Sequence, residues 1–83
     1  MVTLLDVPEG GRAVVRGIAG DGYGLRRRLL EMGLVPGTEV EVLSSGWGRV
    51  VVRFRGSTVA VGRGLARRII VEVVNHAGSP PPD

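Results

Sequence analysis

The run Leu25-Arg-Arg-Arg-Leu-Leu-Glu-Met-Gly-Leu-Val-Pro-Gly-Thr38 constrains this chain more than any other segment. At about 100° per residue, Leu25, Leu29 and Met32 share one stripe of a helix. Arg26, Arg27 and Glu31 lie off that stripe and Arg28 borders it. Leu30 falls about 140° from Leu25, so it either meets a second packing surface or faces solvent. Gly33 stands where a left-handed C′ residue would end the helix, and Pro36 prevents it from resuming. Pro36-Gly37 then turns the chain toward a strand. The spacing predicts a helix over about residues 24–33, with Leu29, Met32, Gly33, Pro36 and Gly37 as the residues that determine the local fold.

Around this segment the chain alternates short apolar runs with turn signals. Leu4-Leu5-Asp6-Val7 is an apolar lead-in to a turn at Gly10-Gly11. Arg12 to Ile18 reads as a strand with Ala13 and Val15 inward, and Gly17 at a bulge that returns Ile18 to the inner face. Thr38 to Leu43 alternates, with Val40 and Val42 in and Glu39 and Glu41 out, and Ser44 to Gly48 is a loop. Arg49 to Arg55 is a further strand with Val50, Val52 and Phe54 inward. Gly56-Ser57 suits a type II′ turn into Thr58 to Val61. Gly62 to Arg68 is one helical turn, and Ile69 to Val74 a last strand with Ile69, Val71 and Val73 inward.

These elements define one domain over residues 1–74, followed by a composition at 75–83 that predicts a disordered tail. The predicted class is mainly β: a small five-stranded SH3-like barrel with one inserted helix and a short helical turn before the last strand.

Size and composition limit the rest. An 83-residue chain buries only about 60% of its unfolded surface. With no cysteine, neither a disulfide nor a thiolate metal site can staple it, so valine, leucine and isoleucine must supply the core. No run approaches the ~18 apolar residues of a membrane span and no signal-peptide core opens the chain, which points to a cytoplasmic protein without membrane insertion. The formal charge is +3, and all eleven basic residues are arginine, which fits G+C-rich codons and is weak evidence for nucleic acid.

Few residues offer chemistry. Transition-metal sites favour converging imidazole, carboxylate or thiolate ligands. The chain has one histidine, His76, and no cysteine, so no metal site and no cofactor are expected. Gly20-x-Gly22-x-Gly24 precedes the helix but lacks both the dinucleotide fingerprint and the phosphate-loop lysine, and reads as a connector. No nucleophile–base set can form, so no enzyme is expected.

Partner recognition has better candidates. Arg26, Arg27 and Leu30 would make a basic patch with an apolar centre on the helix, and exposed apolar residues would also favour self-association. Trp47 lies in a glycine-flanked loop, either exposed or folded back over a barrel end. Tyr23, in the loop that leads into the helix, completes the set. An alternative is a nucleic-acid binder using Arg49, Arg53 and Arg55 as a basic stripe with Trp47 stacking, although Glu39 and Glu41 on the neighbouring strand would partly neutralise it.

The chain resembles the FeoA family of small ferrous iron transport proteins. Arg28-Leu-Leu-Glu-Met-Gly-Leu-Val-Pro-Gly-Thr38 is similar to that family's strongest motif almost residue for residue. Leu4-Leu5 through Gly10 match its opening strand and turn, Ala13, Val15 and Ile18 its first barrel strand, and Ala66, Ile69 and Val71 its closing Ala-x-x-Ile-x-Val. One departure is Ser44-Ser45-Gly46-Trp47-Gly48-Arg49, where family members often carry a Gly-Asp-Pro-like sequence. The resemblance implies a binding module that acts on the cytosolic region of the membrane GTPase FeoB, and does not imply iron binding. It also allows a repressor-type use, in which such a barrel holds a proline-rich segment, for which Ser79-Pro80-Pro81-Pro82 is a candidate ligand.

Overall fold

Alternating valines dictate a sheet with one inner face, and the computed structural model, which describes residues 2–20 and 23–76, shows how it closes. The strands are β1 (Gly11–Ile18), β2 (Glu39–Gly46), β3 (Arg49–Phe54), β4 (Ser57–Gly62) and β5 (Ile69–His76). They form one antiparallel sheet in the order β4-β3-β2-β1-β5. Helix α1 (Tyr23–Met32) joins β1 to β2, and the single-turn α2 (Arg63–Ala66) joins β4 to β5. This is the mainly-β, five-stranded barrel that the alternation predicts.

The inner face is almost wholly aliphatic. Ala13, Val15, Val40, Val42, Val50, Val52, Val61, Ile69 and Val71 are buried, as is Phe54 at the end of β3. Fully burying a valine-sized side chain is worth about 1.5–3 kcal/mol, so this layer supplies most of what offsets chain entropy. The open edges, β4 and β5, do not pair with each other. Instead α2 spans them, with Ala66 completely buried. The outer edge of β5 is partly covered, since the Val71 N–H donates to the Val2 carbonyl at 2.9 Å and Thr3 bridges Ile70.

The end of α1 follows the expected stop. Gly33 has φ +88°, its N–H donates to the Leu30 carbonyl at 3.1 Å, and the Leu34 N–H donates to the Leu29 carbonyl at 2.9 Å. These are the two bonds of a Schellman cap, and the buried Leu29 and Leu34 make its apolar contact. Val35 to Thr38 then forms a turn with Pro36 and Gly37 at its centre, Gly37 at φ +95°, closed by the Thr38 N–H on the Val35 carbonyl at 3.0 Å. The helix starts and ends one residue earlier than predicted.

Gly17 sits at the expected bulge, where the register shifts between Val15 and Gly17, and Ile18 packs partly buried against the core. Other details differ from expectation. The opening segment is a 3-10 turn over Leu4–Asp6, because the Asp6 carboxylate accepts the Thr3 N–H at 2.8 Å. In that geometry residues three apart eclipse, so Leu4 and Val7 both plug the barrel end.

β2 runs on through Ser44, Ser45 and Gly46, leaving a two-residue turn at Trp47-Gly48 with φ values of 56° and 78°. The second hairpin turns at Arg55-Gly56, with φ values of 53° and 77°, and not at Gly56-Ser57. Both turns have positive φ at both central positions, the twist that flanking strands favour. β5 continues to His76, two residues past the predicted end at Val74, because Gly11 and Arg12 offer partners to His76 and Asn75. The rest of the expected tail, 77–83, lies outside the described residues.

Two glycine substitutions should move stability in opposite directions. Gly33→Ala forces a side chain into φ +88° and places its Cβ 3.4 Å from Phe54 Cε2, so it should cost about 1–2 kcal/mol. Gly64→Ala, inside α2 with nothing within 4 Å, should gain about 0.5–1 kcal/mol. Urea midpoints read by circular dichroism check both signs.

Candidate partner-binding groove

The second half of β1 holds both flanks of α1. The Gly37 N–H donates to the Val15 carbonyl at 2.7 Å, and the Val15 N–H donates to the Thr38 carbonyl at 2.8 Å. With its C-terminus tied there and its N-terminus following β1, α1 leaves a groove of about 280 Å³ against the strand. Leu29 and Leu34 form the buried floor, Ile18 and Pro36 the apolar walls, and Arg26 and Leu30 the exposed rim. Leu30 is 54% exposed, so of its two expected positions it takes the solvent-facing one.

The predicted partner-binding residues therefore divide. Arg26 and Leu30 meet at the groove. Arg27 does not line it, and its Nε lies 3.5 Å from the Glu31 carboxylate one helical turn on. Trp47 sits at the far end of β2, fully exposed, which resolves the choice between a free and a folded-back indole. Tyr23 opens α1, and its side chain lies outside the described residues, as do Asp21 and Gly22 of the glycine loop. Ile18 and Pro36 were readable as a core-facing residue after a bulge and a turn residue, Leu34 only as part of the motif, and nothing in their spacing signals that they line one groove.

Charge is arranged differently on the sheet's outer face. Arg53 Nη2 donates to Glu41 at 2.7 Å, Arg16 binds Glu72 through Nε at 3.0 Å and Nη2 at 2.7 Å, and Arg12 lies 3.7 Å from Glu39. Exposed pairs of this kind are worth about 0–1 kcal/mol each, so their main effect is to neutralise the face. The arginine stripe of β3 is thereby broken at its middle residue. Arg26 and Arg28 of α1 have no ion-pair partner among the described residues. Among those residues no three His, Cys, Asp or Glu side chains gather where a metal could be held, and no helix is long and apolar enough to cross a membrane.

Comparison with known proteins now bears on the whole chain. The model of the FeoA domain matches residues 2–73. A Methanocaldococcus jannaschii protein named Fe(2+) transport protein A is 36% identical over 78 residues, 94% of each chain. The crystal structure of an iron uptake regulatory protein, FeoA, superposes with a TM-score of 0.79 at 36% identity, covering 88% of this chain and 96% of that one. Zinc-complexed FeoA of Stenotrophomonas maltophilia, described as an SH3 domain protein, gives 0.73 at 27% identity, covering 87% and 91%. With the family's domain spanning the barrel from its first residues to β5, this chain belongs to the FeoA domain family.

Proposed function

We propose that this chain is a cytoplasmic accessory protein of ferrous iron transport that acts by binding the cytosolic GTPase region of a FeoB-type membrane transporter. It performs no catalysis of its own. The carrying observation is the α1–β1 groove, an apolar slot with Leu30 exposed on its rim and beside it Arg26, which has no ion pair among the described residues. The names of two similar proteins, one in Fe(2+) transport and one in iron uptake, supply the process. The groove supplies a mode: an apolar side chain of the partner enters between Leu30 and Ile18, and an acidic neighbour meets Arg26. Interfaces concentrate energy in such small desolvated clusters, with arginine enriched among them.

Titration of the full chain against the transporter's GTPase domain, in its GTP- and GDP-bound states, tests this reading. Leu30→Glu and Arg26→Glu should each weaken binding about tenfold or more, with Arg27→Glu changing it by less than about threefold. Leu30→Glu should leave the urea midpoint nearly unchanged, since substitutions at exposed positions stay within about 0.5 kcal/mol. Leu29→Ala, one residue away in the floor, should cost about 2–5 kcal/mol. Absence of wild-type binding in every nucleotide state, or full binding by Leu30→Glu, overturns the proposal.

A further inference from the structure

We propose that the end of the molecule formed by Trp47, Arg49 and Arg63 docks on an anionic lipid surface. This rests on residues outside the groove and stands apart from the GTPase reading.

Trp47 is the only tryptophan of the chain, and it is 100% exposed. It occupies a turn position with φ +56°, a conformation that bulky residues rarely adopt and that asparagine or aspartate would fill with less strain. The indole buries nothing, so the fold gains nothing from it. A large amphipathic ring held in an unfavourable conformation and offered wholly to solvent calls for an external partner.

The surroundings specify that partner. Arg49 follows the turn and pairs with Gly62, and the Arg63 N–H donates to the Gly48 carbonyl at 2.8 Å. Ring and both arginines therefore share one end of the barrel, with Arg67 one helical turn behind Arg63. None of the three arginines has an ion pair among the described residues, whereas Arg12, Arg16 and Arg53 on the sheet's outer face each have one. Against these three arginines stands Glu9, whose carboxylate accepts the Ser45 N–H at 2.9 Å, while Glu41 further along the hairpin is paired with Arg53. Uncompensated positive charge thus gathers beside the ring.

A protein partner would want an apolar rim around the indole, as interface anchors have. Here the ring is flanked by Gly46 and Gly48, and Gly62 and Gly64 lie beside Arg49 and Arg63, each with open space where a Cβ would stand. A single-stranded nucleic acid would want several stacking faces, yet the hairpin's other aromatic, Phe54, is buried at 6%, which leaves Trp47 as its one exposed ring. A protruding indole ringed by glycine and arginine suits a headgroup layer, where tryptophan settles at the interface and basic residues attract anionic lipid. Each arginine near such a surface should raise partitioning about fivefold. This is contact at headgroup depth and involves no span. The groove flanks the start of β2 and Trp47 follows its end, on the order of 25 Å apart for an eight-residue strand, so lipid and protein can be engaged together.

The lone tryptophan reports on its own site. Emission of the full chain is recorded with vesicles of phosphatidylcholine alone and of an equimolar phosphatidylcholine–phosphatidylglycerol mixture, at low and high salt. The expected result is a blue shift with the anionic vesicles only, quenched by lipids brominated near the headgroup and lost as salt rises. By co-sedimentation, Trp47→Ala should reduce binding about tenfold and R49E/R63E by more, with thermal unfolding by circular dichroism unchanged. No shift and no sedimentation at low salt overturns the proposal. Equal binding to neutral vesicles also overturns it, as does a shift produced by a single-stranded oligonucleotide but not by vesicles.

Discussion

The hydrogen bonds that tie residues 33–38 to β1 are the constraint on which the rest of the molecule depends. A helix inserted between two strands of a small barrel must end abruptly, or its last turn would run into the core. Gly33 ends it by taking φ +88°, and the two capping bonds return Leu34 beneath Leu29. Thr38 then works three ways: its N–H closes the Pro36-Gly37 turn, its carbonyl accepts from Val15, and its hydroxyl reaches the Gly33 carbonyl at 3.4 Å. It is the one buried polar residue among those described, and every polar group it carries is used. Helix, turn and strand are thereby fixed to one another in register. The groove exists because this clamp holds α1 at a set distance from β1 instead of letting it collapse onto the strand.

How much of this was legible in the sequence depended on how local the deciding forces were. The cap and turn could be read because glycine at φ > 0 and proline after a helix are requirements of the backbone itself. The bulge at Gly17 could be read because Val15 and Ile18 must both face inward, and a three-residue spacing forbids that in a regular strand. The hairpin turns were misplaced for the opposite reason. Arg55-Gly56 and Trp47-Gly48 look like unpromising turn pairs, since their first residues are not asparagine, aspartate or glycine. What selected them is the pairing of the strands on either side, with Phe54 opposite Ser57 and Gly46 opposite Arg49. Cross-strand pairing outweighs the preference of one residue, and a single-strand reading cannot see it.

The same division applies to the site. Leu30 and Arg26 were visible as residues that the helix stripe does not require, which is a sound way to look for function on an amphipathic helix. Ile18 and Pro36 were each assigned a structural task that they do perform, and Leu34 stood only within the motif that carries the family resemblance. Their second role, as walls and floor of the groove, arises only from the crossing of α1 over β1. Trp47 shows the complement: its exposure could not be decided from flanking glycines, and only the two-residue turn, which leaves no slack for the ring to fold back, decides it.

Charge placement ties these observations together. A barrel of this size has little surface to spare, and an unpaired arginine on the sheet's outer face would expose the protein to nonspecific association with nucleic acid. Across β3, β2, β1 and β5, each arginine of the central rows meets a glutamate of a neighbouring strand, leaving that face close to neutral. Among the described residues, arginines without an ion pair stand on α1 beside the groove and around α2 beside Trp47, with Arg55 at the β3–β4 turn. Beside the groove and around α2 they accompany an apolar side chain that the core does not use, Leu30 in one case and Trp47 in the other. Neutralising the broad face while concentrating charge with exposed apolar residues at the ends confines association to those ends, and it does so without loss of core, because none of these residues contributes to it.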